Sequence, residues 1–205
     1  MLRQAVPVGS IVMPDDYAFV LATPVTFWDR LPMGTFSPEG EQEGKIHFAP
    51  ASGDDTEWVL FRAWVQKVLY PVLGLQAQKI KLAEGQRENQ VWPCVVNAEV
   101  DVTPKLAYVQ TCGPRFETRS EIQVYKQLGH IVGMTCSSEW TLAQELCLPY
   151  VLVCAVDNSA NGLSLHPGGP VQEYLDHKGS IAEVTTALID SLSTALSKGG
   201  PSAAW

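Results

Sequence analysis

The chain has 205 residues, of which 46% are hydrophobic and 18% charged, and its formal net charge is −8. This length allows one sizeable domain with its own core. The acidic balance argues against nucleic acid or an anionic membrane as partner, since both require a basic footprint. The five cysteines form no CxxC pair, which fits a reducing compartment and speaks against a zinc site. Cys112, Cys147 and Cys154 lie in apolar stretches and read as buried thiols. The first residues lack the apolar core of a signal peptide. No run approaches the ~20 apolar residues of a membrane span, so the expected location is cytoplasmic.

In chain order, residues 8–17 read as a turn and a short strand that Pro14 ends. Residues 34–44, rich in Gly and Glu, read as an exposed loop, and 45–49 as a short edge strand. Asp54, Asp55 and Glu57 put negative charge where a helix dipole favours it. The helix they open has Trp58, Phe61, Val65, Val68 and Leu69 on one face, and Pro71 is expected to close it. Residues 74–104 read as an insertion or surface excursion on a single domain, 1–205.

The region 106–164 organises the rest. Apolar runs at 106–112, 130–134 and 150–156 read as strands. Two helices alternate with them, one opened by the capping box Thr118-Arg119-Ser120-Glu121 and one following Ser137. Ile122, Val124, Tyr125 and Leu128 give the first an apolar side, and the second is expected to bury Leu142 and Leu146. This alternation predicts an α/β fold, a mixed central sheet flanked by helices. Residues 166–170 read as a loop, Ser180 as the cap of a last helix reaching about Lys198, and Val184, Leu188, Leu192 and Leu196 as its core stripe.

Ligands of such sheets bind outside the carboxyl ends of the strands. The three breaks there hold Phe116 and Glu117, Met134 and Thr135, and Asp157 and Asn158. Phe116 offers a stacking face and Glu117 an acceptor, a pair suited to a planar heterocycle with N–H groups. Both also fit plainer roles, a core plug and a first-turn acid. Met134 can pack on a sugar, and Thr135 at a helix start can help hold an anion; a buried side chain and a cap fit as well. Asn158 both donates and accepts, in a site or in a simple Asx turn. No catalytic triad, P-loop or dinucleotide fingerprint stands out.

Taken together, the breaks resemble the nucleoside phosphorylase family, in its trimeric purine nucleoside and methylthioadenosine branch. The matching strings are Gly113-Pro114-Arg115-Phe116-Glu117-Thr118-Arg119-Ser120-Glu121-Ile122, Gly133-Met134-Thr135 with Glu139, and Val156-Asp157-Asn158-Ser159-Ala160-Asn161-Gly162-Leu163-Ser164. Val12-Met13-Pro14-Asp15-Asp16-Tyr17 and Thr26-Phe27-Trp28-Asp29 look like the methylthioadenosine side. The resemblance implies phosphorolysis of an N-glycosidic bond, giving free purine and a sugar 1-phosphate. Phosphate is then a co-substrate, with no cofactor and no metal. It implies that Phe116 stacks on the base, Glu117 bonds its edge, Met134 packs beneath the ribose and Thr135 contacts phosphate. Asn158 is then the catalytic residue, bonding the N7 side of the leaving purine. His47 matches a residue that reaches the neighbouring subunit's site near the 5′ substituent, which implies a homotrimer with shared sites. Ser138 stands where the family usually has proline. The family's Gly-rich phosphate loop and Arg-His phosphate contact have no counterpart here. The resemblance therefore implies an N-terminally incomplete fold, and leaves open a non-catalytic purine-binding or assembly subunit that has lost the phosphate site.

Overall fold

Alternation fixes which side chains of the central segments face which layer. Val151, Val153 and Ala155 pack into one apolar cluster, while Leu152 and Val156 are buried in another, joined by Tyr150 and Cys154. Ile11 and Met13 likewise face the first cluster and Val12 the second. This is the period of two of an extended chain buried on both faces. The computed structural model describes residues 6, 8–20, 56–83, 106–146 and 148–201. Among them the elements run β1 Ile11–Val12, β2 Asp16–Phe19, α1 Thr56–Ala83, β3 Ala107–Gln110, α2 Arg119–Leu128, β4 Ile131–Gly133, α3 Cys136–Glu145, β5 Cys154–Ala155 and α4 Gly169–Ser197. The expected α/β architecture is present.

β2, β3 and β4 form a parallel sheet in that order, with Tyr17 opposite Tyr108 and Val109 opposite Val132. The sequence reading placed the 150–156 strand in the same sheet. Instead, β5 pairs antiparallel with β1, Ile11 facing Ala155. Apolar alternation signals burial but says nothing about the partner. Gly9 N–H to the Val156 carbonyl (2.6 Å) and Val156 N–H to the Ser10 carbonyl (2.9 Å) extend the pairing.

Helix α1 does not stop at Pro71 but runs on to Ala83. Proline removes a donor and crowds the preceding turn, and there the Ser191 hydroxyl of α4 donates to the Val68 carbonyl (3.3 Å). Val65, Leu69 and Leu73 of α1 share a buried cluster with Val184 and Leu188 of α4. Of the expected α4 stripe, Leu196 is exposed. The rest of 74–104, and the 34–49 segment with its expected strand, lie outside the described residues.

The α2 capping box forms as predicted. The Glu121 N–H donates to the Thr118 hydroxyl (3.2 Å), and the Thr118 N–H donates to the Glu121 carboxylate (2.6 Å). Arg115 also grips that carboxylate through both nitrogens, at 2.9 and 2.7 Å. These bonds, Arg115 foremost, hold the Glu121 pKa down to about 2. Ile122 is fully buried and Tyr125 packs beside it, but Val124 and Leu128 are exposed. Val124 is two residues from Ile122, about 200° around the helix, so the two cannot share a face.

In α3 the inward face is Ser137, Trp140 and Gln144, not Leu142 and Leu146, which are only half-buried. The indole of Trp140 decides this, with its ring centroid 5.0 Å from that of Tyr17, 5.9 Å from Tyr150 and 6.2 Å from Trp58. Gln144 on the same face accepts from the Tyr17 hydroxyl (2.9 Å). The last helix starts at Gly169, eleven residues earlier than Ser180, with Pro170 in its first turn. Proline is tolerated there because its missing N–H has no intrahelical partner to lose. Ser180 is mid-helix and its hydroxyl donates back to the His177 carbonyl (3.0 Å).

Candidate active site

The site begins where β3 ends. Gly113 takes a left-handed conformation (φ +51°), and a Cβ there would stand 2.7 Å from the Met134 sulfur. Glycine thus lets the Met134 side chain lie against the strand exit. Phe116 follows, half exposed, and then Glu117, buried at 6% exposure. The Thr111 hydroxyl donates to Glu117 Oε1 (2.6 Å), while Oε2 has no hydrogen-bond partner among the described residues. A carboxylate in such a setting favours a hydrogen-bond donor at each oxygen. The Asn161 amide donates to the Glu117 carbonyl (3.1 Å), tying the third break to the first.

At the exit of β4, Gly133 lies flush against the Tyr108 hydroxyl. Thr135 occupies the α3 N-cap without making a side-chain cap bond, and its hydroxyl lies 3.3 Å from the Cys136 sulfur. At the third exit, Asn158 Nδ2 donates to the Ser159 carbonyl (2.8 Å). Asp157 beside it is half-buried, and that burial raises its carboxyl pKa.

Phe116, Glu117, Met134, Thr135, Asp157 and Asn158 line one cavity of about 440 Å³. This lies within the roughly 300–1,000 Å³ typical of small-ligand pockets. The structure therefore brings together Phe116, Glu117, Met134, Thr135 and Asn158, five of the six residues given a site role, with Asp157 beside them; His47 lies outside the described residues. Tyr174 of α4, Tyr108 of β3 and the thiols Cys136 and Cys154 also line it. The sequence pattern places the start of the last helix at Ser180, beyond Tyr174, and so gives no signal for it. Tyr108 was read only as part of a buried strand. No group of three or more His, Cys, Asp or Glu side chains suited to a metal occurs among the described residues. Nor is any described helix long and apolar enough to cross a membrane.

Cys112 is exposed, against expectation, because the chain is already leaving the sheet there. The Cys154 thiol is pushed up to about 12 by burial, with Cys136 adding to the shift. A folded pKa above the unfolded value near 9 favours the neutral thiol, so this contribution to stability holds below pH 9 and is lost as pH rises towards 12. At pH 8, iodoacetamide followed by mass spectrometry is expected to label Cys112 at least about tenfold faster than Cys154, since the thiolate is the reacting species. Equal rates would show that Cys154 is not shielded as described.

A family model described as the phosphorylase superfamily matches residues 1–194, and the chain belongs to that superfamily. It is 50% identical over 62 residues to a probable 6-oxopurine nucleoside phosphorylase of Archaeoglobus fulgidus, covering 30% of this chain and 26% of that protein. It is 53% identical over 57 residues to a probable S-methyl-5′-thioinosine phosphorylase of Methanocaldococcus jannaschii, covering 28% and 23%. The fold matches a double mutant of adenosine/methylthioadenosine phosphorylase from Schistosoma mansoni, solved with adenine. The TM-score is 0.58 at 21% identity, covering 96% of this chain and 64% of that one. The fold is that of the nucleoside phosphorylases, and the matched segments span about a quarter of these two curated relatives.

Proposed function

We propose that the cavity is the nucleoside site of a pentosyltransferase that phosphorolyses a 6-oxopurine nucleoside, with S-methyl-5′-thioinosine or inosine as substrate. The observation that carries this reading is convergence: Phe116, Glu117, Met134, Thr135 and Asn158 come from three separate strand ends and line one cavity. The Glu117 oxygen without a hydrogen-bond partner among the described residues suits the ring N–H of a 6-oxopurine. The amino-terminal strings and His47 pointed instead to a 5′-methylthio group. S-methyl-5′-thioinosine carries both features, and two of the relatives' names divide between the same two substrate types.

In the reaction a phosphate oxygen attacks C1′ as the C1′–N9 bond breaks, and the electron pair leaves with the purine. Donors placed where negative charge develops on the base lower the barrier most. Asn158 supplies such a donor on the N7 side, and Phe116 holds the ring plane. Met134 supports the sugar, and Thr135, at the start of α3, faces phosphate. The reading includes no cofactor beyond phosphate as co-substrate, a cytoplasmic location and a homotrimer with shared sites. Exposed apolar side chains on the segments flanking the cavity, Phe116, Leu165, Val171 and Leu175, support the assembly.

The test is phosphate-dependent release of hypoxanthine from inosine and from S-methyl-5′-thioinosine, with methylthioadenosine in parallel. Turnover of the 6-oxopurine substrates is expected, and Asn158→Ala is expected to cut it about 100-fold, as loss of one such donor does elsewhere. Hypoxanthine binding without turnover by the unaltered chain points to the purine-binding subunit instead. An Asn158→Ala variant as active as its parent removes Asn158 from catalysis.

A further inference from the structure

Asn158 is aimed by its neighbours, and one of them is a carboxylate on another element. Glu173 of α4 is buried at 9% exposure. Its Oε2 accepts the backbone N–H of Ser159 (2.8 Å), and its Oε1 lies 3.5 Å from the Ser159 hydroxyl, which donates towards it. Ser159 is itself buried at 4% exposure. That N–H belongs to the peptide plane joining Asn158 to Ser159. The next plane is held from the other side, because the Ser159 carbonyl accepts from Asn158 Nδ2. We infer that Glu173 is a positioning residue for Asn158, acting through the Ser159 backbone; the inference rests on the nucleoside-site reading above.

The physical case lies in the type of bond. A carboxylate accepting a backbone N–H in a buried setting makes a charge-assisted bond, roughly twice as strong as a neutral one. Burying the charge carries a desolvation cost, which helix packing alone does not require. The bond fixes the peptide plane that carries the Asn158 side chain. Small displacements of such a group are costly, since a shift of about 1 Å from a distant change can lose about 100-fold in rate. Glu173 lies next to Tyr174, which lines the cavity, so a single turn of α4 both walls the site and holds its third break.

The experiment is calorimetric titration of the full chain with two probes, hypoxanthine and 7-deazahypoxanthine, which lacks the N7 acceptor. The unaltered chain is expected to prefer hypoxanthine. Glu173→Ala is expected to weaken hypoxanthine about tenfold while leaving 7-deazahypoxanthine within about threefold, because the loss passes through Asn158 and N7. Glu173→Gln keeps a carbonyl acceptor at the same reach without the charge, and is expected to recover hypoxanthine binding in part, to a level between the alanine variant and the parent. Glu173→Asp keeps the charge, withdraws the reach by one methylene, and is expected to behave like alanine; it serves as the probe should the alanine chain fail to fold. Equal weakening of both probes shows a general packing role and overturns the inference. So does a preference for hypoxanthine that survives in both the alanine and aspartate variants. An unaltered chain that binds neither probe, or binds both alike, overturns the nucleoside-site reading itself.

Discussion

Glu117→Gln is expected to bind hypoxanthine about 100-fold more weakly than the parent chain, with little change in melting temperature. The substitution is isosteric. The glutamine carbonyl can still accept from the Thr111 hydroxyl, the 2.6 Å bond that fixes Oε1. What changes is the second position, where an acceptor without a partner among the described residues becomes an NH2 group. A purine N–H then meets a donor in a buried site, losing a charge-assisted bond worth about 1.5–3 kcal/mol and leaving two donors opposed. At about 1.4 kcal/mol per tenfold, this amounts to roughly two orders of magnitude in affinity. Titration calorimetry with a thermal melt on the same preparation reads both quantities. Unchanged affinity would mean that Glu117 is only a first-turn acid facing a coincidental cavity.

Gly129→Ala is expected to cost the most stability. Gly129 ends α2 with an extended backbone (φ −167°), which any residue adopts, so the constraint is space and not conformation. A Cβ there would stand 2.6 Å from Val109 Cγ2 and 2.7 Å from the Ala107 carbonyl oxygen. Neither neighbour can yield cheaply. Val109 is fully buried, and Ala107 is paired with Asp16 in the sheet while its carbonyl accepts the His130 N–H (2.8 Å). Overpacking costs about 1–3 kcal/mol, and a backbone obstacle puts this case near the upper end. At about 2–4 °C per kcal/mol for a chain of this size, the melting temperature should fall by roughly 6–12 °C. A fall of less than a degree would mean that α2 does not approach β3 as closely as described.

The parts of the fold legible in the sequence are those whose cause is local. Thr118 and Glu121 cap α2 because the capping box needs only four residues. The strand ends were visible because apolar runs stop at glycine, proline or small polar residues. Two of the site's breaks followed from them, since the ends of β3 and β4 lie on one side of a parallel sheet; the third follows β5, which pairs with β1 instead. What was misread depends on partners distant in sequence. β2 has only four residues, opens with Asp16, and is made a strand by pairing with β3. Gly168, Gly169 and Pro170 look like a loop until the helix that begins among them is seen packing on α1. The rotation of α3 was set by the aromatic cluster around Trp140, which a count of leucines cannot reveal.

The pairing of β1 with β5 sets an order of events during synthesis. Asn158 sits three residues beyond Ala155, and Ala155 is hydrogen-bonded opposite Ile11. One half of this ladder leaves the ribosome well before the other and must wait, unpaired, until residue 155 emerges. Contacts between such distant positions form slowly, because a long loop must close before they are rewarded. The parallel sheet of β2, β3 and β4 can assemble as soon as residue 133 is available. Nascent chains are therefore expected to acquire their sheet first and the Asn158 corner of their pocket afterwards.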